Sequence, residues 1–290
     1  MNSTSAVTLT FGDQAENHVG MEILGAMVPL GEGFQLDDME VIKEKMKEIG
    51  VDAVIHDLTN GDASLPPAYL MVMPNAVSSI LSKHGSFTHE DMMMEQMDLN
   101  VDKQAFMYGK VVNKHARWNL CFDDVGREPS YAAGRGRIIA YDKVPVTKAL
   151  YDRFGMYFGD KTSNLKGEGN YYYDVSRCGI GFHGDAERRK VLAVRLGGGS
   201  IDMPIMFQWH RMGLPWGEKM VFPLRGGDMY MMSEKAVGTD WKCKKRYTLR
   251  HAAGCAKFTG VVAAAVAVTS AVVVGATSSV VVGAVVEASK

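Results

Sequence analysis

From residue 171 onward the chain is cut into about seven short runs rich in apolar and aromatic side chains, with glycine, proline or aspartate between them. A tyrosine-rich run that ends at His183 is followed by VLAVRL, IMFQWH, EKMVFPL, DMYMM, YTLRHAAG and CAKFTG, all of which read as strands. Short strands at this spacing build a sandwich or jelly roll, a fold that aims several side chains into one mouth. Ahead of them the pattern is mixed. Residues 34–50 place Met39, Ile42, Met46 and Ile49 on one helical face, with Asp37 or Asp38 as cap and Gly50 as stop. VDAVIHDL and AYLMVM read as strands, residues 75–82 and 147–158 as helices, and residues 1–20 as polar and loose. The stripe of Met92, Met93, Met94 and Met97 reads as adaptable packing. The expected class is α+β, with an N-terminal α+β extension over 1–100, a β-rich domain over 101–258 and an uncharged tail over 259–290.

Inside the strand block stands His183-Gly184-Asp185. Side chains at i and i+2 of a strand share a face, so this imidazole and this carboxylate can close on one ion. They make two thirds of the facial triad that holds non-haem Fe(II) and leaves positions open, and a second histidine is needed to complete it. The alternative is a polar turn at a strand end. A second His-x-Asp, His89-Glu90-Asp91, follows Thr88 and opens DMMMEQM, which reads as a helix capped by Thr88. On a helix i and i+2 diverge by about 200°, so that pair cannot share a metal.

Bulk properties narrow the field. A net charge of −1 provides no overall attraction to nucleic acid or membrane, so any such affinity must come from local clusters. Cys121, Cys178, Cys243 and Cys255 form no CxxC pair, which suits a reducing, intracellular compartment and speaks against a structural zinc. The opening residues carry neither a basic region nor an apolar core of the kind a secretory signal has.

Five motifs in order give residues 117–257 a likeness to a known family. A tyrosine-containing strand ends in His183-x-Asp185, and the next ends in a glycine-rich turn at 196–199. Phe207-Gln208-Trp209 matches a Phe-Gln-aromatic strand, Gly227-Asp228 opens a Gly-Asp strand, and Arg246-Tyr247-Thr248-Leu249 matches an Arg-Tyr-x-Leu strand. In these features the chain resembles the Fe(II)- and 2-oxoglutarate-dependent dioxygenases, most nearly their AlkB-like branch. Arg117 and Phe122, with Tyr131 and Pro145, resemble that branch's nucleotide lid more loosely. The resemblance implies a double-stranded β-helix (jelly-roll) core with flanking helices, and iron held by two imidazoles and a carboxylate. It further implies 2-oxoglutarate and O2 as co-substrates, and an oxidoreductase that hydroxylates or oxidatively demethylates a C–H bond with release of succinate and CO2.

The sequence departs from that family where the distal histidine belongs. The span SEKAVGTDWKCKK between the Gly-Asp strand and Arg246 has none, and Thr239 and Asp240 stand near the place. His210 and His251 remain beyond His183; His210 fits a strand end and His251 a late strand. The expected metal ligands are therefore His183, Asp185 and His251, with Asp240 as the lesser candidate. The family anchors the far carboxylate of 2-oxoglutarate on a cation after the distal histidine. Lys257 fills that role if His251 is the ligand, and Arg246 if the AlkB-like alignment is taken literally; Arg250 would point away. The family's Asn-x-Tyr is replaced by Tyr172 and Asp174, so Tyr172 is either a co-substrate contact or a core residue. His115 could be a ligand, but a lone histidine beside an arginine reads more readily as a surface or hydrogen-bonding residue.

Two substrate classes follow from the likeness. An alkylated nucleic-acid base would use Arg188-Arg189-Lys190 and residues 242–246 on phosphates and Trp118 and Trp209 for stacking. A protein or small-molecule hydroxylase fits the same core. A binding module of the same fold without iron is a third reading, prompted by the histidine missing near Asp240. Residues 258–286 carry no charge until Glu287 and are long enough to span a bilayer as a tail anchor. Their Ala, Val, Gly, Ser and Thr composition favours low-complexity sequence.

Overall fold

Alternating apolar residues on strand after strand lead to a sheet buried on both faces. The computed structural model describes residues 4–197 and 203–260. Its larger sheet runs in the order Val54–Asp57, Tyr69–Met73, Met229–Met232, Val191–Gly197, Ala6–Gly12, Lys166–Tyr172, Trp118–Asp123 and Ile138–Ala140. All neighbours are antiparallel except the last pair. The smaller sheet runs Gly179–His183, Thr248–Gly254, Ile205–Arg211 and Leu214–Phe222, antiparallel throughout. The chain is thus an α+β protein dominated by its sheets.

The period of two decides which side chain meets which layer. Val7, Leu9, Phe11, Leu192, Val194, Leu196, Met229 and Met231 face the helices and join one core with Met39, Ile42, Met46, Ile80 and Leu150. Their alternates Val191, Ala193, Tyr230 and Met232 face the smaller sheet and pack with Ile205, Phe207, Trp209 and Leu249. The architecture is therefore helices on the large sheet, and the small sheet on its other face. Between the sheets, beside the second core, lies a cavity of about 590 Å³.

Several expectations change in detail. Residues 6–12 are not loose: AVTLTFG is a fully buried strand at the centre of the large sheet, because Val7, Leu9 and Phe11 alternate with Thr8 and Thr10. The strands near residues 55 and 70 extend the same sheet through Met229–Met232, so residue 100 marks no break between separate sheets. The helix at Leu36–Glu48 has Gln35 at its N-cap, and Asp38 completes a capping box by accepting the Gln35 N–H at 2.7 Å. The helix over 147–158 is two pieces, Pro145–Tyr151 and Phe154–Phe158. Thr88 does cap His89–Met97, and that helix buries Met92 and Met93 but leaves Met94 and Met97 exposed.

Among the described residues seven strands follow residue 165, but not the same seven. Asp174, whose carboxylate accepts from Ser176 N–H and Oγ, splits the tyrosine-rich run into Lys166–Tyr172 and Gly179–His183. CAKFTG forms a short helix, Ala256–Thr259, because the chain turns at Gly254 (φ +112°), where a Cβ would lie 2.3 Å from Gly179 Cα. Among the described residues no helix is long and apolar enough to cross a membrane. The tail reading over 259–290 falls, from residue 261 on, outside the described residues.

Candidate metal centre

His183 ends its strand and His251 lies inside Thr248–Gly254; the two are register partners on adjacent antiparallel strands. Opposite residues of such a pair project to the same face, and the two rings lie 4.5 Å apart between centroids. Asp185 reaches the same point from the turn that follows. Its N–H donates to Val237 O at 3.0 Å, and its Oδ1 lies 3.5 Å from His183 Nε2 and 3.4 Å from His251 Nε2. One ligand atom from each residue falls within 4.8 Å of the other two.

The protonation pattern suits a cation. His183 Nδ1 faces two carbonyls, Gly181 O at 2.8 Å and His251 O at 3.1 Å, so it carries the proton and leaves Nε2 as a free lone pair. Burial, reinforced by the neighbouring His251 ring, holds the His183 pKa down at about 3. Burial by itself would raise the Asp185 pKa, but Arg188 at 3.5 Å and the two imidazoles outweigh it and keep the carboxylate ionised well below its ordinary range. Two imidazoles and one carboxylate on one face are the donor set of a 2-His-1-carboxylate Fe(II) centre, and the residues fit such an ion.

The other candidates lie elsewhere. Asp240 is paired with Lys235 at 2.9 Å and lies 4.0 Å from Arg246, outside the triad. His210 is buried on the next strand with Nδ1 against Gln208 O at 3.1 Å. Lys257 is exposed on the short terminal helix, its Nζ 5.7 Å over the Phe258 ring, and does not line the cavity. Arg246, with its side chain 68% exposed, does not line it either. Tyr172 does, buried at the end of its strand. His115 is a surface residue whose carbonyl accepts from Tyr173 OH.

The basic cluster 188–190 is turned inward, contrary to a role on phosphates. Arg188 is buried and paired with Glu168, Glu187 and Asp185, Arg189 with Glu234, and Lys190 donates to Lys161 O. Trp209 is core, its Nε1–H donating to Leu58 O at 2.7 Å, and Trp118 is stacked on Tyr173. Trp241 and Lys242 do line the cavity.

One cavity residue escapes a motif-based reading. Arg195 is the single charge in the strand VLAVRLG, and the alternation that sends Val191 and Ala193 between the sheets sends it there too. A lone arginine on the inward parity of a buried strand is the signal that identifies it.

No family model matches the chain. It is 43% identical over 258 residues, 87% of its own length and 96% of the relative's, to the uncharacterized protein R156 of Acanthamoeba polyphaga mimivirus. At that identity and coverage the two share one fold and one descent, and the chain belongs to the family of that viral protein.

Proposed function

We propose that this protein is an Fe(II)- and 2-oxoglutarate-dependent dioxygenase of AlkB-like type, built on a double-stranded β-helix, that oxidises a substrate C–H bond by hydroxylation or oxidative demethylation. The observation that carries the reading is the triad itself: His183 and His251 in register on neighbouring strands, with Asp185 about equally close to both, on the wall of the cavity. The two facing sheets support the jelly-roll part of it, since the smaller carries both histidine strands and the larger forms the opposite wall.

When bound, iron would let O2 act as the oxidant, one oxygen atom going to the substrate C–H bond and the other to the 2-oxo acid, which leaves as succinate and CO2. The protein's residues bind and orient. The His183 Nδ1–H bonds aim its ring, Arg188 holds Asp185 ionised, and Val191, Ile205 and Met232 give the cavity a dry wall. Gly184 and Gly238 keep the backbone close around the triad, and Trp241 with Lys242 lies along the cavity on the substrate's side.

The substrate reading favoured here is an alkylated nucleic acid, now resting on Lys242, Lys244, Lys245 and Arg246 next to Trp241, since residues 188–190 and Trp209 are engaged internally. A protein or small-molecule hydroxylase would leave that exposed loop without a role. A binding module without iron is disfavoured by the complete triad.

Anaerobic titration with Fe(II) and 2-oxoglutarate tests the proposal. A visible charge-transfer band in the parent, lost in His183→Ala and in His251→Ala, is the expected result. A parent that shows no band under these conditions sinks the oxygenase reading.

A further inference from the structure

Arg195 is 2% exposed, and its Nε and Nη1 have no hydrogen-bond partner. Among the described residues no carboxylate lies within ion-pair distance of it. Asp228 is near, but its oxygens are taken by the N–H groups of Asn75 and Arg225, and only its backbone carbonyl bonds Arg195, through Arg195 N–H. Directly across the strand pair stands Thr8, whose buried Oγ1 also lacks a partner. Thr8, Arg195, Tyr172 and Tyr230 line the same cavity as His183, Asp185 and His251.

A guanidinium does not give up its proton in a protein, so Arg195 is a buried positive charge with no ion-pair partner among the described residues. Burial opposes that charge, and the neighbouring Tyr230, Tyr172 and Asp228 only partly offset the effect. Folded chains do not leave such a group without an anion, and a planar fork of N–H donors matches a carboxylate. The cavity is large enough for a small organic acid, and its other functional wall is the metal triad.

We propose that Arg195, assisted by Thr8, is the carboxylate-binding residue of this cavity, and that its ligand is a short dicarboxylic acid whose other end is a 2-oxo acid facing His183, Asp185 and His251. The carboxylate half of this assignment needs no reaction chemistry; the 2-oxo half rests on the function proposed above. The anchor then comes from Val191–Gly197 in the middle of the large sheet, where the N-terminal strand Ala6–Gly12 lies against it, rather than from Lys257 or Arg246.

The test is calorimetric titration of the full chain, loaded with Mn(II) in the absence of oxygen, with 2-oxoglutarate, succinate and 2-oxobutyrate. The last lacks the far carboxylate and succinate lacks the oxo group. The parent should bind 2-oxoglutarate about 100-fold more tightly than 2-oxobutyrate, the worth of a charge-assisted contact. Arg195→Met should erase that preference while Mn(II) affinity stays as in the parent. Thr8→Val, nearly isosteric, should weaken 2-oxoglutarate by about 5-fold and serves if Arg195→Met fails to fold. Equal binding of 2-oxoglutarate by parent, Arg195→Met and Thr8→Val overturns the anchor and leaves the oxygenase reading standing. Succinate bound as tightly as 2-oxoglutarate, and lost in Arg195→Met, keeps the carboxylate site and removes the 2-oxo acid. A parent that binds neither dicarboxylate overturns the proposal.

Discussion

Gly184 packs so closely on Gly238 that a Cβ at residue 184 would lie 2.1 Å from the Gly238 carbonyl oxygen. This contact sits between the two halves of the His183-x-Asp185 pair, and Asp185 N–H is bonded to Val237 O beside it. The missing side chain lets this segment lie directly against Gly238, which holds Asp185 beside His183.

Gly184→Ala should therefore push the turn outward. The expected cost is about 1–3 kcal/mol in urea denaturation, as for overpacking against an unyielding neighbour. Metal affinity should fall about 10–100-fold, the range seen when ligand support is lost, and a competitive chelator titration reads it.

Arg188→Met should destabilise the protein by about 3–5 kcal/mol, because it leaves Glu168, Glu187 and Asp185 buried without their shared cation. Chemical denaturation measures it. A change below about 1 kcal/mol, the level of an exposed pair, would show that Arg188 is solvated and open again to a role on phosphates.

Lys114 provides a pH signature away from the metal centre. Its Nζ donates to Asn17 Oδ1 at 2.7 Å and Asn119 Oδ1 at 3.0 Å, and burial, partly countered by Asp102, lowers its pKa from 10.5 to about 8. Between those values the unfolded chain binds more protons than the folded one, so this residue's contribution to stability rises from pH 8 to 10.5 and is lost as pH falls through 8. The expected rise is about 3 kcal/mol, and urea midpoints across this range should show it in the parent and not in Lys114→Met.

The exposed loop discriminates between substrate classes. Lys244→Glu with Lys245→Glu should leave thermal stability unchanged, since both side chains are exposed. If the substrate is nucleic acid, affinity for a single-stranded oligonucleotide should drop at least about 10-fold and its salt dependence should shrink. Unchanged oligonucleotide binding would point to a protein or small-molecule substrate.

Asp240→Asn should leave metal affinity as it is, because Asp240 is spent on Lys235 and Arg246. Isothermal titration with Mn(II) checks this, and a loss of affinity would move the third ligand away from His251.

What the sequence by itself determined about this protein is local. His183 and Asp185 were legible as a pair because i and i+2 of an extended chain share a face whatever surrounds them. The helix after Thr88 and the rejection of His89-Glu90-Asp91 followed from the same geometry, and the turn-punctuated runs announced a sheet protein. The preference for His251 over Asp240 drew on a likeness to other proteins, and what brings His251 beside His183 is a register pairing between distant strands. Only the tertiary structure decided the rest. Ala6–Gly12 alternates as a strand does, but its place at the centre of the sheet is set only when Val191–Gly197 and Lys166–Tyr172 close on either side of it. That closure sets Thr8 opposite Arg195, and the second sheet buries both in the cavity of the triad. Lys257 reads as an anchor because it follows His251 in the chain, and Arg246 because it opens the Arg-Tyr-x-Leu motif, yet both end at the surface. Sequence order is kept along a strand, while the side of a sheet that encloses a cavity is set by which strands pair and how the sheets stack, and those contacts are long-range.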